Sequence, residues 1–127
     1  MPAAALGSGQ STVVCTDGVQ GTICHFDSNG NPDKWLWNSG VTSASDACSA
    51  TVFAGSYGIV REDDAMAAHP DGVPCTPSAI NHTPALDAYS STVYIEGKRA
   101  GRVGDTYNKG TPFSHTITTG SSTVFIG

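Results

Sequence analysis

Four side chains in the second half of the chain have the chemistry of a metal centre: His69, Cys75, His82 and His115. Three imidazoles and a thiolate make a full tetrahedral set for Zn²⁺, whose borderline softness suits nitrogen and sulfur donors. A closed four-ligand centre leaves no position for water or substrate, so the expected role is structural rather than catalytic. One ion would also tie together loops too rich in Pro, Gly and Asp to build a core of their own. The spacing matches no zinc-finger pattern, and His25, next to Cys24, competes as a ligand. On residue types alone, the alternative that these histidines are ordinary loop residues stays open.

The elements that must position these residues emerge from a repeat. Thr-Val occurs at 12–13, 51–52, 92–93 and 123–124. The segment Ala50–Asp64 aligns without gaps on Ser91–Asp105, placing Arg61 on Arg102 and Asp64 on Asp105. Each copy reads as a hairpin. In the second, Tyr94 and Ile95 continue an alternating arm, Glu96-Gly97-Lys98 supplies a tight turn with Gly97 free to take positive φ, and Ala100–Val103 returns. Long loops follow at about 17–49, 65–90 and 106–121. A hairpin cannot bury its apolar face alone, so several must pack around one axis. The expected fold is all-β: a compact, pseudo-threefold body of short hairpins with long loops tied by zinc. The loops holding His69, Cys75, His82 and His115 would leave it on one side.

Composition agrees. The 127 residues fit one domain over 1–127, with 1–49 divergent and carrying a long loop insertion, and 50–127 holding the clear repeats. Fifteen glycines and only 13% charged residues argue against a helical bundle. A net charge of −5 without a clustered basic face argues against nucleic acid. The start, Met1-Pro-Ala-Ala-Ala-Leu-Gly, lacks the basic and apolar regions of a signal peptide, so synthesis in a reducing cytoplasm is expected. With Cys75 assigned to metal, Cys15, Cys24 and Cys48 are too many for one bridge; the pairing Cys24–Cys48 would close a span containing Trp35 and Trp37. Those tryptophans, at i and i+2, would share one strand face, covering the core or forming a docking contact.

The stretch Ser91-Thr92-Val93-Tyr94-Ile95-Glu96-Gly97-Lys98-Arg99-Ala100-Gly101-Arg102-Val103-Gly104-Asp105 resembles the repeat of the PAAR family. The ending from Ser114-His115-Thr116-Ile117 to Thr123-Val124-Phe125-Ile126-Gly127 is similar to that family's closing segment. The likeness covers about 65–127, is faint over 50–64, and is limited to the opening Ser11–Val14 over 1–49. It departs at Ala100-Gly101, where Pro-Ala-Ala is usual, at Glu96 in place of Asn, at His115 without its double glycine, and in the long first loop.

The resemblance implies that the body is cone-shaped, and that the chain is a non-enzymatic spike tip. Such a protein caps and sharpens the trimeric β-helical spike of a contractile injection system, either a phage tail or type VI secretion, and helps pierce the target cell envelope. It implies zinc held by His69, Cys75, His82 and His115, and a monomer seated one per homotrimeric spike. It implies a location at a virion tail tip, or secretion through the contractile system. The competing readings are a small zinc-dependent hydrolase, with Asp71 or Asp87 as base, and a secreted disulfide-bonded binding module.

Overall fold

The computed structural model describes residues 1–70, 75 and 81–127. All regular structure among them is strand: β1 (Thr12–Phe26), β2 (Pro32–Ser43), β3 (Phe53–Ala54), β4 (Tyr57–Gly58), β5 (His69–Pro70), β6 (Asn81–His82), β7 (Tyr94–Ile95), β8 (Lys98–Arg99) and β9 (His115–Ile117). They form a three-stranded sheet in the order β2-β1-β9 and three two-stranded ladders, β3-β4, β5-β6 and β7-β8. Every pairing is antiparallel.

The repeated hairpins are β3-β4 and β7-β8, and their turns have the backbone the sequence calls for. Gly97 sits at φ 79° behind Glu96 at φ 55°, two successive positive values of the kind a two-residue hairpin turn uses. Gly55 takes φ 66° in the first copy. A third unit is built from both ends of the chain. Phe125 bridges Ala3, and Ala4 N–H donates to Val124 O at 2.9 Å. That bond repeats Ile59 to Val52 (3.2 Å) and Ala100 to Val93 (2.9 Å) in the other two hairpins. The N-terminal segment is thus the return arm of the last hairpin.

The three units lock into one another through a closed ring. Ala5 N–H donates to Gly101 O, Gly101 N–H to Val60 O, and Val60 N–H to Ala5 O, at 3.0, 2.7 and 3.0 Å. Each unit opens on a buried serine. Ser49 Oγ accepts from the Thr51 and Val52 amides, Ser90 Oγ from Thr92 and Val93, and Ser121 Oγ from Thr123 and Val124. A hydroxyl that accepts two such amides fixes the local turn at the start of each arm. The aligned ion pairs match as well. Arg61 Nε and Arg102 Nε each lie 3.0 Å from the carboxylate three residues on, Asp64 and Asp105.

Two apolar layers result. Ala4, Ala54, Ile59, Ile95, Ala100 and Ile126 fill the space between the hairpins. Ala5, Val13, Ala44, Val60, Met66, Leu86, Tyr107 and Ile117 form the next layer, toward β1 and β9. Glycine is required where the repeat closes: a Cβ at Gly58 would overlap the Ser49 carbonyl oxygen.

Two expectations are corrected here. Residues 17–49 are not a long loop, because β1 and β2 pair from Thr12↔Ser43 to Phe26↔Pro32 as an extended, irregular hairpin. Thr12-Val13 does not open a fourth repeat unit either. Val13 is a fully buried β1 residue in register with Ile117 on β9. Trp37, opposite Gln20, is buried, and Trp35, opposite Ile23, is half-buried.

Candidate metal centre

Four strands deliver one donor each to a single point. His69 and His82 are register partners in β5-β6, the two-residue ladder that closes the neck of the segment between them. His115 opens β9, opposite Cys15 on β1. The fourth donor is Asp17 of β1. Along that strand Val13, Cys15 and Asp17 are all buried while Val14 and Thr16 are exposed, so the period-2 pleat carries the inward face from the core to the carboxylate. The register then shifts between Cys15 and Val19, a bulge of the kind that re-aims a side chain beside a site. Gly18 permits the close turn, since a Cβ there would lie 2.6 Å from Cys15 Sγ.

The donor atoms of Asp17, His69, His82 and His115 all lie within 4.8 Å of one another. His69 Nε2 is 3.0 Å from His115 Nε2 and 2.9 Å from His82 Nε2. Asp17 Oδ1 is 3.2 Å from His69 Nε2 and 3.0 Å from His115 Nε2, and Asp17 Oδ2 is 2.7 Å from His82 Nε2. Donor atoms about 3 Å apart can sit around one ion at the ~2.0–2.1 Å of a zinc–nitrogen bond. Asp17 and His115 are fully buried and His69 nearly so, while His82 reaches the surface.

The protonation pattern points the same way. His69 Nδ1 lies 3.0 Å from Ala67 O, an acceptor only, so Nδ1 is the donor there, which in the neutral tautomer leaves the Nε2 lone pair for a metal. That lone pair faces two more imidazole nitrogens and a carboxylate. Burial holds the His115 imidazole below the ordinary histidine range, favouring its neutral, ligating form, with the Asp17 charge opposing. The cluster could therefore hold a metal ion: three imidazole nitrogens and one carboxylate, with a cation supplying what the donors lack.

The structure brings together His69, His82 and His115 of the four residues singled out in the sequence. Cys75 is not with them. Its sulfur is bonded to Cys24, with Cα atoms 5.7 Å apart, and Asp17 stands as the fourth donor. The same bond corrects the expected Cys24–Cys48 bridge. Cys15 and Cys48 are free thiols, and burial raises the proton affinity of both. His25 is exposed and pairs with Asp33 at 2.6 Å, well removed from the cluster in its bonding. Asp87 accepts from Thr106 and Asn108, and Asp71 lies outside the described residues. Asp17 escaped the sequence reading although the alternation Val13-x-Cys15-x-Asp17 was the signal that finds it.

A scan against protein-family models matches none, and no curated protein matches the chain.

Proposed function

We propose that the chain is the spike tip of a contractile injection system, a PAAR-like cap on the end of a homotrimeric spike, with a structural zinc ion in the Asp17, His69, His82 and His115 cluster. One observation carries the reading: three hairpin units repeat the same hydrogen bonds and close a ring of three, so one chain approximates a threefold axis. A trimeric spike ends in three equivalent surfaces, and a monomer of this kind can answer all three at once.

The exposed aromatics support it. Phe53, Tyr94 and Phe125 occupy the same position in each unit and are 51%, 55% and 51% exposed, while the next residues, Ala54, Ile95 and Ile126, are buried. Three like rings displayed in like positions form a set that a trimer's three chains can each engage once. The donor cluster belongs to other segments, β1, β5, β6 and β9, beyond the second apolar layer. With four protein donors and no open position the ion would stiffen the narrow end of a cone and do no chemistry.

The test is assembly. Light scattering of the isolated chain is expected to give one chain per particle, and mixing with the cognate spike one chain per three. Replacing Phe53, Tyr94 and Phe125 together by serine is expected to abolish the complex while leaving the fold intact. A self-trimer would overturn the proposal.

The Cys24–Cys75 bridge favours a second reading, a secreted disulfide-bonded binding module, since such bonds persist in oxidising compartments. That reading expects no one-to-three complex with any spike.

A further inference from the structure

The bridge and the donor cluster join the same two parts of the chain. Asp17 and Cys24 both belong to β1. Cys75 lies in sequence between His69 and His82, the partners that close the β5-β6 neck. A metal ion would therefore link β1 to this segment at one place, through Asp17 and the two histidines, and the disulfide links them at a second. We infer that the two cross-links are thermodynamically coupled: the oxidised chain holds its metal more tightly than the reduced chain, and bound metal protects the bridge from reduction. The inference rests on the cluster being a metal centre, not on the chain being a spike tip.

The magnitude follows from loop closure. Before the core forms, bringing His69 to Asp17 closes a span of 52 residues. With the bridge, the path from Asp17 to Cys24, across the disulfide and back from Cys75 to His69, is only about 13 residues. Closure entropy scales with the logarithm of loop length, so the shorter path favours metal capture by at most about eightfold. The folded chain already holds the start of the neck through buried Met66 and the Ala67 N–H bond to Ser43 O, and the bridge adds to that hold on the far side of a ladder of only two residue pairs. Coupling of this kind is reciprocal, so metal must favour the disulfide by the same factor, at most about 27 mV for a two-electron couple. Reduction itself is ordinary exchange: a dithiol attacks one sulfur, Cys24 and Cys75 leave as thiols, and the dithiol becomes the disulfide.

The experiment uses the full chain and Zn²⁺ alone, in competition with a chromophoric chelator. Oxidised wild type is compared with the Cys24→Ser/Cys75→Ser variant. The expected result is one zinc per chain in both, bound more weakly by the variant, by up to about eightfold. The potential of the bridge in wild type, poised against dithiothreitol, is expected to be more negative with zinc than without, by up to about 27 mV. Equal affinities and an unmoved potential would remove the coupling and leave the metal centre standing. Absence of zinc binding by either protein would remove both. Cobalt substitution of the reduced wild type gives a further check. A thiolate-to-cobalt charge-transfer band with tighter binding would mean that freed Cys75 becomes a ligand, which overturns the inferred sign.

Discussion

The hairpin body and the donor cluster are built on opposite principles. In the body, one local solution is used three times: a buried serine, an outgoing arm, a return arm and a shared ring of hydrogen bonds, with a tight turn joining the arms in two of the three. In the cluster, the long β1, the short β9 and the two-residue ladder β5-β6 converge, each strand contributing one donor. Repetition makes the body robust, since each unit supports the next. Convergence makes the cluster dependent on every part, since one misplaced donor leaves the others as a buried, mutually unsatisfied polar group.

The largest expected effect is loss of the ion. At zinc concentrations about a thousandfold above Kd, binding adds about 4 kcal/mol to stability. For a domain of this size that corresponds to about 15 °C in Tm. Differential scanning calorimetry with zinc and with excess EDTA should show that difference. Asp17→Asn, which keeps the shape and removes the anionic donor, should erase the zinc dependence. A variant that still gains the full shift would show that the carboxylate is not a ligand.

In the body, the sharpest break is Gly58→Ala. The new Cβ would overlap the Ser49 carbonyl oxygen, which is backbone, and the Ser49 N–H is itself tied to Ile59 O at 2.9 Å. A cost of about 3 kcal/mol is expected from urea unfolding. At Gly55, where φ is 66° but no atom lies within 4 Å of the would-be Cβ, alanine should cost only the strain of the left-handed backbone, about 1 kcal/mol. Equal losses at the two glycines would mean that packing against Ser49 does not govern the first.

The serine caps come next. Ser90→Ala leaves the part-buried Thr92 and Val93 amides without their shared acceptor and empties a fully buried site. About 1–2 kcal/mol is expected. Ser49→Ala and Ser121→Ala should cost nearly the same if the three units are energetically as well as geometrically alike, and a spread much wider than 1 kcal/mol would break the comparison. Ser49 also donates to the Glu96 carboxylate and Ser90 to the Gly127 carbonyl, so those two losses should stand at the upper end and Ser121 below them.

These contrasts explain what could be read in advance. The hairpins at 50–64 and 91–105, their Arg–Asp pairs and their turns were legible because each is set by residues close in sequence. The third unit was half hidden because its return arm, Pro2–Ala4, lies at the other end of the chain from Val124 and Phe125. His69, His82 and His115 were legible by type. Asp17 was not, because an aspartate followed by glycine reads as a turn, and only the pairing of β1 with β2 and β9 reveals it as the inward end of a strand. Cys75 suited zinc on softness alone, yet Cys24 on the extended β1 lies close enough to take it.

Acid should separate the two regions further. Burial holds His115 neutral in the folded, metal-free chain, below its unfolded value of 6.5. Its contribution is fully present above that value. As pH falls through 6.5 the unfolded chain takes up the proton more readily, and stability is lost. Urea midpoints in EDTA should therefore decline below about pH 6.5. In His115→Gln this part of the decline should vanish, whereas a Ser90→Ala background should keep it unchanged.

The smallest effect has the opposite sign. Met66 and Tyr107 occupy matching places in the two aligned units, two residues beyond Asp64 and Asp105, and both are fully buried in the second apolar layer. The tyrosine hydroxyl has no hydrogen-bond partner among the described residues, and burial drives its ionisation far above the ordinary phenol range. Its methionine counterpart shows that the position asks only for apolar volume. Tyr107→Phe keeps the ring and removes the stranded hydroxyl, so the variant should be more stable, by about 1 kcal/mol. Chemical denaturation at pH 7.5 with an unchanged m-value would register the gain as a shift in midpoint alone. A loss instead would mean that the hydroxyl is satisfied in solution, and that the second unit departs from the first in its core as well as in its loop.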